Sequence, residues 1–449
     1  MKKTIRIGEY FSGPGGLAWG ALGVRDYFTG EFGYDVQVEP VFAVDYHEDA
    51  CATYHRNIHR FEPHARFVKA SDAGLGKFVP GVNAPQEADI PLVLNADVAM
   101  VRPELLGDID GFMFGFPCND FSMAGEKNGL NGSYGQLYKY GIKLIEEKHP
   151  QFFIAENVSG LLAANNWSAF RQIMAELREA CASEGGYEVT PHLYKFEEYG
   201  VPQTRHRVII VGIRKDLVAQ GVSFLPPKPT YETMTAAEAL AGVFEAGDTY
   251  PNNAPKKLSP TVQRRIELTP PGKNIWDVNK DLPEELRLKA DMKAQMSSIY
   301  KVLDPDKPSY TVVGSGGGGT HMYHWDKRAT TDRERATLQT FPLDYEFLGN
   351  RESVRRQIGM AVPPEGAGII ISSVVKALMG IAYETVEPNL KKAEDEDHIA
   401  GKVRARKRAI EMKQRKLKEQ AEAEDGAQQP DLDTEAYENT SVELLQAAE

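Results

Sequence analysis

Short apolar runs alternate with amphipathic stretches over the first two hundred residues, and that rhythm leaves the chain few folds. Ile5 to Glu9, Pro40 to Val44, Gly111 to Gly115 and Phe152 to Ala155 are strand-like runs ending in turn or polar residues. Between them, Leu137, Tyr140, Leu144 and Ile145, then Phe170, Ile173, Met174 and Leu177, recur at helical spacing. Arg207 to Ile213 is a last strong strand. The alternation predicts an α/β fold, a mostly parallel sheet with helices on both faces. Ligands of such sheets gather at the carboxyl ends of the strands.

After Arg214 the texture changes. Pro226-Pro227-Lys228-Pro229 marks a linker, and periodicity stays weak to about Tyr310. That stretch is rich in positive charge: Lys256, Lys257, Arg264, Arg265, Lys273, Arg287, Lys289, Lys293 and Lys301. The run from Gly314 to Gly319 reads as a flexible hinge. Order returns from Arg328 and ends in an apolar stretch, Gly366 to Tyr383. Ser372, Ser373 and Lys376 interrupt it, so it reads as a buried helix rather than a membrane span. The expected units are 1–225, an α/β domain; 226–325, a smaller second domain; 326–388, a return segment completing the first; and 389–449, a charged tail. In the tail Lys402 to Lys418 is a basic, solvated helix candidate, and the acidic remainder is expected to be disordered.

Charge and cysteine content bound the function. The net charge of −12 argues against nucleic-acid binding only until it is located. Residues 419–449 hold ten Asp and Glu and no Lys or Arg, so the rest of the chain is close to neutral. Cys51, Cys118 and Cys181 are too few and too scattered for a disulfide framework or a zinc site. A reducing, cytoplasmic setting fits, with no cleavable signal and no membrane partner.

The chemistry lies in a few ordered motifs. Phe11-Ser12-Gly13-Pro14-Gly15-Gly16 follows a strand and precedes a helical pattern beginning at Leu17. Its spacing differs from the Gly-x-Gly-x-x-Gly turn of dinucleotide sites, and the next acid to end a strand is Asp45. Cys118 sits in Gly115-Phe116-Pro117-Cys118-Asn119-Asp120-Phe121-Ser122, a loop after an apolar strand. Taken alone, a cysteine is more often a small buried hydrophobe than a nucleophile. Glu156, in Ala155-Glu156-Asn157-Val158, ends the next strand and falls on the same edge of the sheet. Arg205 and Arg207, in Gln203-Thr204-Arg205-His206-Arg207, stand two apart on an expected strand and so face one side.

In this order the motifs resemble the DNA cytosine-C5 methyltransferase family, of the bacterial restriction–modification type. The resemblance covers roughly residues 5–214 and 310–383. It implies a Rossmann-like S-adenosylmethionine-dependent methyltransferase domain with a smaller target-recognition domain. By resemblance the cofactor is S-adenosyl-L-methionine. Phe11 would contact adenine, Gly13, Gly15, Gly16 and Leu17 the methionine part, and Asp45 with Tyr46 the ribose side. Asp97, with Val98, stands where the family binds the adenine amino group, and Phe116 and Pro117 complete the site. Cys118 would add to C6 of cytosine, Glu156 would supply a proton near N3, and Arg205 and Arg207 would hold the base carbonyl, Glu156 and phosphate.

Duplex DNA is the expected partner, with the target cytosine flipped out of the helix. Asn119 (where the family has Gln), Ser122, Gln203, Arg264 and Arg265 are the expected DNA contacts. Arg328, Thr331, Arg333, Glu334, Leu338, Gln339, Phe341 and Pro342 match a late family motif, with Thr337 where an arginine is usual. Gln357-Ile358-Gly359-Met360-Ala361-Val362-Pro363-Pro364 resembles the segment that returns to the cofactor, with Met360 in place of Asn. A cognate restriction endonuclease acting separately and a nucleoid-associated location follow from the same likeness. Two alternatives stay open: an RNA (tRNA) cytosine-C5 methyltransferase, and a non-catalytic DNA-binding regulator on the same scaffold.

Overall fold

The computed structural model describes residues 2–117, 136–162, 167–230, 232–289, 292, 299–314 and 321–390. Apolar and β-branched runs form strands β1 (Lys2–Tyr10), β2 (Asp35–Asp45), β3 (Arg66–Lys69), β4 (Leu92–Asn95), β5 (Gly111–Gly115), β6 (Phe152–Val158), β7 (Tyr187–Lys195), β8 (Gln203–Thr204), β9 (His206–Arg214) and β10 (Ser309–Tyr310). One sheet has the order β3-β4-β2-β1-β5-β6-β9-β7, and β8 pairs with β10 apart from it. β1 runs parallel to both β2 and β5, so the chain order reverses beside β1. That reversal is where an open α/β sheet leaves a crevice at its carboxyl ends. β9 is antiparallel to β6 and β7.

Alternation across the pleat builds two apolar layers. Phe112, Phe114, Phe153 and Ala155 face one layer, with α3 (Tyr138–Lys148) and α4 (Ser168–Glu179) over it. Met113, Phe152 and Ile154 face the other, with α1 (Gly16–Phe32) and the helix Pro364–Met379. α2 (Glu48–Ile58) lies against β2 and β4 through Cys51, Tyr54 and Ile58. Close packing brings the late segment onto α1. A Cβ at Gly16 would stand 2.2 Å from the Val362 carbonyl oxygen, and one at Gly20 2.5 Å from that of Pro364. Any side chain there would push residues 362–364 away from the glycine turn.

The helix expected over 366–383 runs from Pro364 to Met379 and ends at Gly380, whose φ of 68° suits glycine. It is buried against α1 and shares the second apolar layer with it. Residues 226–312 hold short helices, among them Ala236–Leu240, Pro260–Glu267 and Ile275–Val278. A local cluster of Ile266, Ile275, Leu282, Tyr300, Val302 and Tyr323 packs beside them. The described residues up to 390 belong to one compact unit. Asn389 still docks on the edge strand β7: its Oδ1 accepts from Leu193 N at 2.8 Å and its Nδ2 donates to Leu193 O at 3.0 Å. The expectations for the hinge residues 315–319, Lys293 and the tail from 391 onward lie outside the described residues.

Candidate active site

The turn after β1 is built from left-handed backbone. Phe11, Gly13 and Gly15 have φ of 55°, 53° and 95°. For Phe11 this is an unfavourable conformation held by its surroundings. Asp45, at the end of β2, fixes the turn: Gly13 N donates to its Oδ2 and His47 N to its Oδ1, each at 2.8 Å. Burial raises the Asp45 carboxyl above its ordinary value, and these two N–H groups pull the other way.

A cavity of about 570 Å³ opens between the ends of β1, β2, β4 and β5. That volume suits a cofactor-sized ligand. Phe11, Gly13, Gly16, Leu17, Asp45, Tyr46, Asp97, Val98 and Pro117 line it, so nine of the residues expected there converge. Tyr46 is 75% exposed, which leaves its ring face open to a ligand. Asp97 caps a short turn, accepting from Ala99 N at 2.9 Å. The return helix Arg351–Met360 closes the other side with Ser353, Arg356, Gln357 and Met360, followed by Ala361 and Val362. Met360 is exposed, so an apolar chain stands on this rim.

Two expected cofactor residues lie elsewhere. Gly15 is the cap of α1; a Cβ there would stand 3.0 Å from the Tyr54 ring, so its freedom serves packing. Phe116 is buried against Tyr138 and Phe114 in the core. Sequence reasoning passed over Glu9, Ser12, His47, Ser353 and Arg356, all of which line the cavity. In the sequence Glu9 shows only as the end of a strand-like run. Burial, then the nearby Asp45, holds its carboxyl well above the usual range. Glu9 Oε2 and Ser12 Oγ are buried and lack a hydrogen-bond partner among the described residues. His47 and Arg356 meet across the rim at 3.1 Å, a contact between segments some three hundred residues apart.

Glu156 faces the same cavity from β6, beside Gly115 of β5. Its Oε1 lies 2.8 Å from Arg207 Nε of β9. Burial raises the Glu156 carboxyl, with Arg207 and then Arg205 opposing the shift. Next to it, Asn157 Nδ2 donates to the Phe116 carbonyl at 3.0 Å and holds the chain leaving β5 toward residue 118. Cys118, Asn119 and Ser122 lie outside the described residues. The other two cysteines, Cys51 and Cys181, are buried in the core.

Arg205 departs from the expected shared face. β9 begins at His206, so two-residue alternation does not extend back to it. The side chain is 1% exposed and donates to the carbonyls of Val312, Gly359 and Ala361 at 3.3, 3.1 and 2.8 Å. It ties the return segment to the sheet. Gln203, expected on DNA, is fully buried: its amide donates to Leu338 O and Gln339 Oε1 and accepts from Val312 N. No donor or acceptor of that side chain faces solvent in this arrangement. Arg264 is exposed and pairs with Glu267 at 3.2 Å. Arg265 turns inward to Leu286 O at 2.8 Å and the Tyr300 ring, so its guanidinium is committed to packing. Thr337 bonds back to the Arg333 carbonyl at 3.0 Å within its own helix.

A family model for the C-5 cytosine-specific DNA methylase matches residues 87–376. The chain belongs to that family. The type II methyltransferase M.BbvI of Brevibacillus brevis is 48% identical over 385 residues, spanning 85% of this chain and 94% of that protein. M.NgoFVII of Neisseria gonorrhoeae, another type II methyltransferase, is 39% identical over 318 residues, 68% of this chain and 80% of that one. A crystal structure of a DNA modification methyltransferase encoded within an E. coli prophage shares the fold. Its TM-score is 0.56 at 21% identity, over 84% of this chain and 99% of that one. As a DNA (cytosine-5-)-methyltransferase, this enzyme works on a ring carbon that is a poor nucleophile. Glu156 is a carboxyl that burial raises above its ordinary value, set beside an arginine that opposes the shift.

Proposed function

We propose that the enzyme methylates C5 of a flipped-out cytosine in a specific double-stranded DNA sequence, using S-adenosyl-L-methionine, with Cys118 as nucleophile at C6. The observation that carries this reading is Glu156, paired with Arg207 and facing the cavity beside the strand end from which Pro117 leads to Cys118.

The cavity fits the cofactor by its chemistry. Glu9, Asp45 and Asp97 put carboxyls around a ligand that carries positive charge, and Phe11 and Tyr46 offer rings to a purine. The unpartnered Glu9 Oε2 and Ser12 Oγ are available to its polar end. When bound, S-adenosyl-L-methionine supplies an electrophilic methyl group. The rest is done by side chains. The Cys118 thiolate adds to C6 as Glu156 delivers its proton to N3, which leaves C5 nucleophilic. Arg207 holds the Glu156 carboxyl in place and stabilises it once the proton has gone. When C5 later gives up its proton to water, the C6–S bond breaks, Cys118 leaves as a thiolate, and N3 returns its proton to Glu156, so the neutral aromatic ring is regained.

Residues 226–325 are the proposed target-recognition region, with 326–388 returning to complete the catalytic domain. Relatives described as type II methyltransferases support a restriction–modification setting, with a cognate endonuclease acting separately. A cytoplasmic, nucleoid-associated location goes with a chromosomal substrate.

A duplex carrying 5-fluorocytosine at the target tests the chemistry, because fluorine at C5 cannot leave as a proton. Wild type should form a cofactor-dependent covalent adduct stable to denaturation, and Cys118→Ala should form none. An adduct that persists in Cys118→Ala, or one on tRNA and not on duplex DNA, would overturn the proposal.

A further inference from the structure

We infer that Arg335, Arg351 and Arg355, with Lys256 beside them, form a seat for one backbone phosphate of the DNA substrate. The inference rests on the proposed duplex substrate and adds a contact point to it. Three segments far apart in sequence meet at this recess: Ala254 and Lys256, then Ala329 to Arg335, then Arg351 and Arg355 of the return helix. That helix presents Ser353, Arg356, Gln357 and Met360 to the cofactor cavity. Arg351 and Arg355, one turn apart, lie on its opposite face. A DNA phosphate seated there would be coupled through one rigid helix to the catalytic pocket.

Size decides what can enter. The recess measures about 10 Å³, room for a single oxygen-sized group. A free nucleotide is far too large to be enclosed. An oxygen of a phosphodiester presented from outside fits.

Charge decides the sign of the occupant. Arg335 is 6% exposed, and its Nε donates to Thr330 Oγ1 at 3.1 Å. Arg355 Nε donates to the Arg351 carbonyl at 3.3 Å. Among the described residues, the terminal nitrogens of these two guanidiniums make no other hydrogen bond or ion pair. The one carboxylate lining the recess is Asp332, which forms a long ion pair with Arg351 Nε at 3.8 Å and is also felt by Arg335, Arg355 and Lys256, a single negative charge among four positive ones. The crowding also shows in Lys256, whose ammonium is pushed down by burial and then by Arg355, Arg335 and Arg351. An incoming phosphate oxygen would relieve that repulsion, and the planar guanidinium forks match its geometry.

The test compares wild type with Arg351→Gln/Arg355→Gln, two side chains that are not part of the buried core. Arg25→Gln, which removes an exposed charge on α1, is the control. Binding to the cognate duplex is measured across salt concentrations, and methylation is measured alongside. The double variant should lower the salt slope by roughly one to two and raise KM for DNA, while Arg25→Gln keeps the wild-type slope. Neutral methylphosphonates placed singly along the duplex should reveal one position that weakens wild type but no longer affects the double variant. An unchanged slope and affinity in the double variant would overturn the seat. So would phosphorus NMR showing inorganic phosphate bound by wild type and lost in the variant while DNA binding stays the same, since the recess would then serve free phosphate. Wild type that fails to methylate duplex DNA at all sinks the proposed function; wild type that methylates normally beside an unaffected variant sinks only the phosphate seat.

Discussion

The arginines at the start of β9 and those on the helix Pro260–Glu267 divide their labour alike, though the regions share neither fold nor task. In each pair one guanidinium is spent on backbone carbonyls of distant segments and the other pairs with a carboxylate, Arg207 also donating to the neighbouring His206 carbonyl at 2.8 Å. Arg205 satisfies three carbonyls of the return segment, whereas Arg207 meets Glu156 at the cavity. Arg265 satisfies Leu286 O, whereas Arg264 is 60% exposed with a single partner one turn away. The common cause is irregular chain. Val312, Gly359, Ala361 and Leu286 lie in or at the ends of segments whose carbonyls find no complete helix or sheet ladder. Buried carbonyls need donors, and a guanidinium brings five. Arginine therefore takes two roles in this enzyme, and neighbouring positions do not share one.

The largest effect should come from the cavity side of the first pair. Glu156→Gln removes the proton donor while leaving the DNA surface alone. Single-turnover methylation should fall by roughly 10²–10⁴-fold with little change in DNA affinity. The pH profile carries the sign. Burial raises the Glu156 carboxyl, and its protonated form does the work, so turnover should fall as pH rises through that raised value. Glu156→Gln should erase this limb. Arg207→Met should move it to higher pH, because the largest opposing charge is gone, and Arg205→Met should move it less. Equal displacement by the two arginines would erase the contrast drawn between them.

The buried member should register in stability. Arg205→Met leaves three buried carbonyls without their donor, each worth about 1–3 kcal/mol. Urea unfolding should show a loss of several kcal/mol, and the cofactor cavity should loosen because Gly359 and Ala361 flank its lining. If Arg205→Met unfolds like wild type while Arg207→Met is strongly destabilised, the roles are reversed.

The strands and the pocket they build were legible for one physical reason. β1, β5 and β6 are buried on both faces, so their apolar runs are nearly continuous, and their ends converge where the strand order reverses. Phe11 and Glu156 follow from that convergence and Asp45 from the apolar end of β2, whereas Asp97, after the short β4, is expected from the family resemblance alone. β3 and β4 are only four residues long, and β7 contains Pro191 and alternates with polar residues, which its edge position tolerates. None of the three stood out. The burial of Gln203 and Arg205 depends on a non-local event, the pairing of Gln203 with Ser309 across more than a hundred residues. Local spacing carries no trace of it. His47 meeting Arg356 is hidden in the same way.

The smallest effect should separate the second pair. Arg264 and Arg265 are adjacent in sequence, and the reading from sequence gave both to phosphate. If Arg264 alone meets DNA, Arg264→Gln should weaken binding to all duplexes alike and reduce the salt slope by about one. Folding should be nearly unaffected, because the exposed pair with Glu267 is worth little. Arg265→Gln should leave the slope at its wild-type value. It should instead lose the bond to Leu286 O and the stacking on Tyr300, whose ring centroid lies 5.4 Å from the guanidinium carbon. That loss should appear as faster hydrogen exchange in Pro260–Glu267 and around residue 286. A slope lowered equally by both variants would mean that Arg265 leaves its inward site when DNA binds. The division of labour would then hold only for the arginines beside the catalytic cavity, where three carbonyls rather than one hold the buried partner in place.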